Sequence, residues 1–396
     1  MPGVSERGRT EVRRRRRAAR RHTMAALASA VVAAGAATGV MTAADDGGRT
    51  TARPDTSASP VLEPLPAVPV PSVSPSASVT PSPTPEPSRT VRRSPAPATS
   101  TGRPAQRAAP HPELYRHPRS QVLEWVDSHR DDPRRPMIES RIAAQPAAVW
   151  FPAYNPGAVT GQVRGVTAAA AAAGRTPVLV PYAIPDRDCG GASEGGAPGL
   201  DAYDAWMEEF AASLGGGPVI VVLEPDAVAL SDCLTAGQRA ARFASLARAG
   251  RTLHAANPRA RVYFDGGHSG WHGAAKQAAA LRAAGAATSG DGIFTNVSNF
   301  HSTADEAAYA RRVLAALGGP PGLGAVIDTS RNGNGAPAAG EWCDPSGRAL
   351  GRAPTTDTGL AGIDAYLWVK LPGESDGCKG SAGSFTPEYA YELATG

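Results

Sequence analysis

The chain has 396 residues and a net charge of +4, but that charge is unevenly spread. Residues 1–110 hold 16 Arg, no Lys and 7 acidic residues, a balance of +9 that leaves −5 for the remainder. A mildly acidic remainder argues against nucleic acid as a partner, because a phosphate-tracking surface needs clustered Lys and Arg.

In chain order, Arg13 to Arg17 with Arg20 and Arg21 form a basic region. An Ala-rich apolar stretch follows from Met24 to Met41, and a small-x-small pattern at 42–44 suits cleavage. Residues 1–44 are expected to be a signal peptide or signal anchor, so the protein is expected to be secreted or anchored at the cell surface. The stretch is poor in Leu and Ile, and no stable membrane insertion is expected. Residues 45–112 are expected to be a disordered Pro/Ser/Thr-rich stalk: 16 of the 37 prolines lie between 50 and 112, with too few large apolar side chains to bury a core. The third segment, 113–396, is left as the folded domain. It holds all four cysteines, Cys189, Cys233, Cys343 and Cys378, none in a C-x-x-C pair, so zinc is not expected. Export predicts two disulfides, and three connectivities are open. Nearest-neighbour pairing would staple two charged loops.

From residue 147 onward, apolar β-prone runs recur at 147–151, 176–182, 219–223, 261–264, 292–295, 324–327 and 365–369. Ala-rich segments with helical spacing lie between most of them, at 161–173, 202–214, 236–256, 274–284 and 303–317, with Asp201, Thr235 and Ser302 or Thr303 as caps. Near-continuous apolar strands alternating with helices imply a parallel sheet covered on both faces. No G-x-G-x-x-G or P-loop follows the first strand, so a nucleotide fold loses ground. The predicted class is α/β, a distorted seven-stranded parallel β/α barrel.

The strand ends break into polar groups. In order they deliver Trp150; Tyr182, Arg187 and Asp188; Asp226; Asp265, His268, Trp271 and His272; Asn296, Ser298 and Asn299; Asp328, Arg331 and Asn332; and Lys370, Glu374 and Asp376. Polar groups at one end of every strand make an active-site mouth. Aromatic faces at Trp150, Tyr182, Trp271 and Trp342 offer stacking surfaces for sugar rings, while carboxylates on neighbouring strand ends suit hydrolysis of a glycosidic bond.

Five blocks carry a resemblance to glycoside hydrolase family 6, the cellulase family of endoglucanases and non-reducing-end cellobiohydrolases. They are Val180, Tyr182, Pro185, Arg187, Asp188 and Cys189; Glu224, Pro225 and Asp226; the run 263–272; the run 328–333; and the run 368–378. The resemblance covers nearly all of residues 111–396. It implies that Asp226 is the general acid, Asp188 the carboxylate that keeps it protonated, Asp376 the base, and that Tyr182 sits under the sugar at the cleavage point. It further implies stacking by Trp150, Trp271 and Trp342, hydroxyl contacts by Lys370 and Glu374, and the pairs Cys189–Cys233 and Cys343–Cys378. The remaining expected substrate contacts are Asp265, His268 and Asn299. For Asp265 a structural role bonding backbone carries equal weight.

A general acid must stay protonated near neutral pH, which burial or a neighbouring like charge achieves. Inversion needs room for one water, roughly 6.5–9.5 Å between acid and base. The expected reaction is inverting endo-hydrolysis of a β-1,4-glucan, since the segments after Trp271 and between Asn334 and Lys370 are short and leave the cleft open. Without a recognisable cellulose-binding module, soluble or amorphous glucan is the expected partner. A cellobiohydrolase and a non-catalytic cell-surface carbohydrate-binding protein are the alternatives. No cofactor or metal is expected: His268 and His272 lie in a Gly-rich loop with no Glu after His268. A monomer is expected. Glu224 is read as structural support, Arg187 as pairing with a carboxylate, and Trp125 and Trp206 as core.

Overall fold

The computed structural model describes residues 112–338 and 340–396. The expected signal segment and all but the last residue of the expected linker lie outside these residues. Seven parallel strands follow one another in sequence order: β1 Val149–Phe151, β2 Val178–Pro181, β3 Val219–Leu223, β4 Ala260–Asp265, β5 Gly292–Thr295, β6 Gly324–Asp328 and β7 Ile363–Leu367. The helices are α1 Gln121–Ser128, α2 Arg135–Ile138, α3 Ala158–Ala172, α4 Leu200–Ala211, α5 Ala236–Ala256, α6 Ala274–Ala283, α7 Ala286–Ser289, α8 Thr303–Leu317 and α9 Pro387–Thr395. Together they form a curled β/α half-barrel.

The strands read as unbroken apolar runs because both their faces are buried. In β3, Val219, Val221 and Leu223 join the cluster under the helices, while Ile220 and Val222 join the cluster inside the curl with Val178, Tyr263, Phe294, Val326 and Leu367. Trp206 belongs to the outer cluster. A third cluster, built on Val122, Trp125, Ile138 and Ile142 from the N-terminal helices and Ala390 and Ala394 from α9, packs against Trp368. It covers the seam where β7 and β1 meet without a ladder, joined by the Ala148 N–H to Trp368 carbonyl bond at 2.9 Å.

Local chemistry sets the element ends. Thr235 caps α5 in a reciprocal capping box with Gln238, and Ser302 caps α8 through Asp305 N–H. Asp201 is not a cap. Helix α4 begins at Leu200, two residues earlier than expected, after extended Gly199, and Asp201 sits in its first turn, where a negative charge favours the helix dipole. The last strand also ends earlier than its apolar run suggests. The N–H groups of Val369 and Lys370 turn to the Asp328 carboxylate, at 3.3 and 3.0 Å, and leave the ladder after Leu367.

Gly250 lies where α5 crosses α7, and a Cβ there would overlap the Ser289 carbonyl oxygen. Gly237, exposed on the same helix, has open space around it. Gly250→Ala should therefore destabilise by about 1–3 kcal/mol despite better helix propensity, while Gly237→Ala should stabilise by roughly 0.5 kcal/mol. Urea denaturation midpoints of the two variants check the opposite signs.

Candidate active site

The loops after the strands enclose a cleft of about 1030 Å³ at the C-terminal ends of the sheet. Of the twelve residues expected to act on or bind substrate, eleven line it: Trp150, Tyr182, Asp188, Asp226, His268, Trp271, Asn299, Trp342, Lys370, Glu374 and Asp376. Asp265 lies outside the lining and is buried, and its carboxylate accepts the N–H groups of Val228, Ala229 and Gly267 at 3.1, 2.7 and 2.9 Å. Of its two readings, the structural one matches this placement: it ties down the loop that carries Asp226.

Asp226 follows β3 on a strained backbone. Glu224 and Asp226 both have positive φ, at 49° and 69°, with Pro225 between them. Such conformations cost about 1–3 kcal/mol each and persist only where the surroundings hold them. Glu224 does the holding: fully buried, it accepts the N–H groups of Ala183 and Ile184 at 2.9–3.0 Å. Burial pushes its carboxyl up to about 7 against those bonds. The strand end bearing Asp226 is thereby fastened to the loop bearing Tyr182 and Asp188.

The Asp226 carboxyl finds no hydrogen-bond donor among the described residues. Burial first, then the charges of Asp265 and Asp188, hold it well above the ordinary carboxylate range. Burial also raises Asp265, but three backbone donors favour the charged form there. The proton of this pair therefore belongs on Asp226, the group without a donor, as a general acid requires.

Asp188 accepts the Ser193 N–H and hydroxyl at 2.7 and 2.9 Å, and the Ser193 hydroxyl meets the Tyr182 hydroxyl at 2.9 Å. Ser193 also lines the cleft. The sequence reading missed it, because nothing in its glycine-flanked run marks one serine as facing a carboxylate. Gly191 is required beside it, since a Cβ there would approach the Asp188 carboxylate to 2.6 Å. Tyr182 is buried on its loop, stands edge-on to Trp150 with 5.3 Å between ring centres, and carries the Arg187 guanidinium 4.5 Å above its ring. Arg187 does not pair with a carboxylate as expected. It donates instead to the carbonyls of Ser193, Pro152 and Tyr182, which fixes the loop without a counter-charge. The Trp150 indole N–H donates to Val369 carbonyl at 2.7 Å, presenting the ring across the β1–β7 seam.

On the β4 side, His268 lies between Trp271 and His301, stacked on His301 with 4.4 Å between ring centres. Burial, then the neighbouring His301 and His272, push His268 down to about 4, so it presents a neutral imidazole. On the opposite side, Asp376 is held by Arg331 at 2.8 Å, Lys370 at 3.3 Å and the Asp344 N–H at 3.2 Å. Arg331 is wholly buried, with its guanidinium over Phe300. Named in the sequence only among the polar strand-end groups, it is the main partner of Asp376. Trp342 projects from the β6–β7 loop with 59% of its surface exposed. The disulfides join Cys189 to Cys233 and Cys343 to Cys378, tying the β2 loop to the β3 loop and the β6 loop to the β7 loop.

The sequence profile of Glycosyl hydrolases family 6 matches residues 109–395. Endoglucanase 1 of Streptomyces sp. (strain KSM-9) is 57% identical over 290 residues, 73% of this chain and 80% of that protein. Endoglucanase A of Thermobispora bispora is 50% identical over 282 residues, 71% of this chain, which spans 61% of that relative's length. More distant matches bear the name cellobiohydrolase. The solved structure of the endoglucanase Cel6 from Mycobacterium tuberculosis, in complex with a methyl-cellobiosyl-4-deoxy-4-thio-β-D-cellobioside, superposes with a TM-score of 0.67 at 41% identity, covering 72% of this chain and 97% of that one. The profile spans every strand-end block that builds the cleft, and the chain belongs to glycosyl hydrolases family 6.

Proposed function

We propose that this glycoside hydrolase is an endo-β-1,4-glucanase that cleaves internal bonds of cellulose or a related β-glucan by single-displacement inversion. The observation that carries the reading is the Asp226 carboxyl in the cleft wall, without a donor among the described residues and raised first by desolvation and then by Asp265 and Asp188. The names of the two most identical relatives described above support the substrate class and the endo reading.

Asp226 protonates the leaving oxygen. Asp188, held by Ser193 and one step from Tyr182, keeps negative charge beside it. Trp150, Trp271 and Trp342 stack sugar rings. His268, Asn299, Lys370 and Glu374 bond hydroxyls. Asp376 serves as base toward the attacking water; both its oxygens are engaged by cations, so taking a proton requires one ion pair to loosen. Export through residues 1–44 and a stalk at 45–112 complete the reading of a secreted enzyme, monomeric and acting on soluble or amorphous glucan. No helix among the described residues is long and apolar enough to cross a membrane.

Proton NMR of the full chain acting on cellohexaose should show the α-anomer appearing first, with mixed product lengths. The β-anomer as first product would overturn inversion, and cellobiose alone would overturn endo-cleavage. Activity requires Asp226 protonated, so it is lost as pH rises through the raised Asp226 pKa. Asp188→Asn removes one of the charges that raise it, and the alkaline limb of kcat/KM should move to lower pH; an unmoved limb would separate Asp188 from the acid. Asp376→Ala should lower kcat by roughly 10²-fold or more, and azide should restore turnover. Near-normal activity of that variant would remove Asp376 as base.

A further inference from the structure

The segment after β7 folds into a small hairpin whose Phe385 packs on Trp125 of α1. Glu374 bridges Phe385, Ser375 N–H donates to Ser384 carbonyl at 2.9 Å, and Thr386 N–H donates to Gly373 carbonyl at 2.8 Å. Glu374 and Asp376 both project from this hairpin into the cleft.

Gln121, the first residue of α1, lies 253 positions away in sequence and reaches the hairpin with its side chain. Its carbonyl oxygen accepts the Phe385 N–H at 2.9 Å, and its nitrogen donates to Gly383 carbonyl at 2.7 Å and to Glu374 Oε1 at 3.0 Å. A backbone N–H only donates and a carbonyl only accepts, so these partners fix which way the amide points. Two of its bonds imitate the backbone pairing of a further strand, and the remaining N–H is left for Glu374. No other side chain of this length supplies one acceptor and two donors in that geometry: Glu lacks the donors and Leu lacks both.

We propose that Gln121 is a positioning residue for the substrate cleft, clamping the 373–386 hairpin and aiming the Glu374 carboxylate at a sugar hydroxyl. The inference rests on the reading of Glu374 as a hydroxyl partner. Three groups act on the Glu374 charge, Lys370, the Gln121 amide and Arg331; each favours the ionised form, against burial that holds the carboxyl up at about 7. Removing the amide donor therefore moves the titration of Glu374 to higher pH. A purely structural residue would not move it.

Michaelis parameters of the full chain on cellohexaose, measured across the neutral range, test this with Gln121→Leu, Gln121→Glu and Glu374→Gln. Gln121→Leu should raise KM about tenfold, the effect of one lost hydrogen bond to a charged group, with kcat little changed. KM in that variant should begin its rise on acidification at a higher pH than in the parent. Gln121→Glu keeps the acceptor for Phe385 but sets a second carboxylate beside the first, and should shift that limb further while leaving the melting temperature close to the parent's. An unmoved KM and limb in Gln121→Leu, or a loss of activity that follows the melting temperature with the limb in place, would overturn the proposal. Glu374→Gln separates the two levels. If it raises KM and removes the limb while Gln121→Leu does neither, Gln121 alone fails; if it leaves KM unchanged, the hydroxyl-partner reading fails and the proposal with it.

Discussion

Three buried carboxylates at strand ends hold the cleft together. Glu224 after β3 takes N–H groups from the β2 loop, Asp265 ending β4 takes them from the β3 loop, and Asp328 ending β6 takes them from the β5 and β7 loops. A parallel strand that ends in a loop leaves backbone donors without a ladder, and a buried donor left unpaired costs about 1–3 kcal/mol. Each carboxylate satisfies donors from a neighbouring loop and so fixes one strand's loop to the next. Burying these acids is itself unfavourable, as their upward shifts show, and the donors offset that penalty.

The proposed acid follows from the same arrangement by exclusion. Asp226 sits among stitched loops, yet no donor reaches its carboxyl. Desolvation that Asp265 offsets with three N–H groups is left uncompensated at Asp226, and the neutral form wins. Strain gathers at the same face. Every described non-glycine residue with positive φ lies in a loop leaving the C-terminal end of a strand: Asp186, Asp188, Cys189, Glu224, Asp226, Asn296, Ser298 and Asp344. Strained backbone at a working site needs neighbours that over-determine it. The carboxylate stitches and the two disulfides are such neighbours.

The two sides of the cleft are built differently. On the side of Asp226 and Asp188, Arg187 is engaged by backbone carbonyls rather than by a carboxylate, and His268 is held uncharged. Around Asp376 the same charge is matched by Arg331 and Lys370. One carboxyl is set up to hold a proton and the other is set in an ion-pair cage, although both are aspartates at strand ends. Environment, not residue type, divides their roles.

The sequence by itself determined the alternation of strand and helix, the polar groups at each strand end and the helix cap at Thr235. These are local: a strand buried on both faces must be apolar throughout, and a cap needs its oxygen within three residues of the N–H it accepts. It did not determine the end of β7, because the bonds that draw Val369 and Lys370 out of the ladder come from Asp328, some forty residues away. Arg331 and Gln121 share that reason. Each is polar in a polar or loop-like stretch, and its partner is set by where the chain returns in space. Only the tertiary structure decided which of several similar aspartates would be left without a donor, since that depends chiefly on which N–H groups of other loops come within reach.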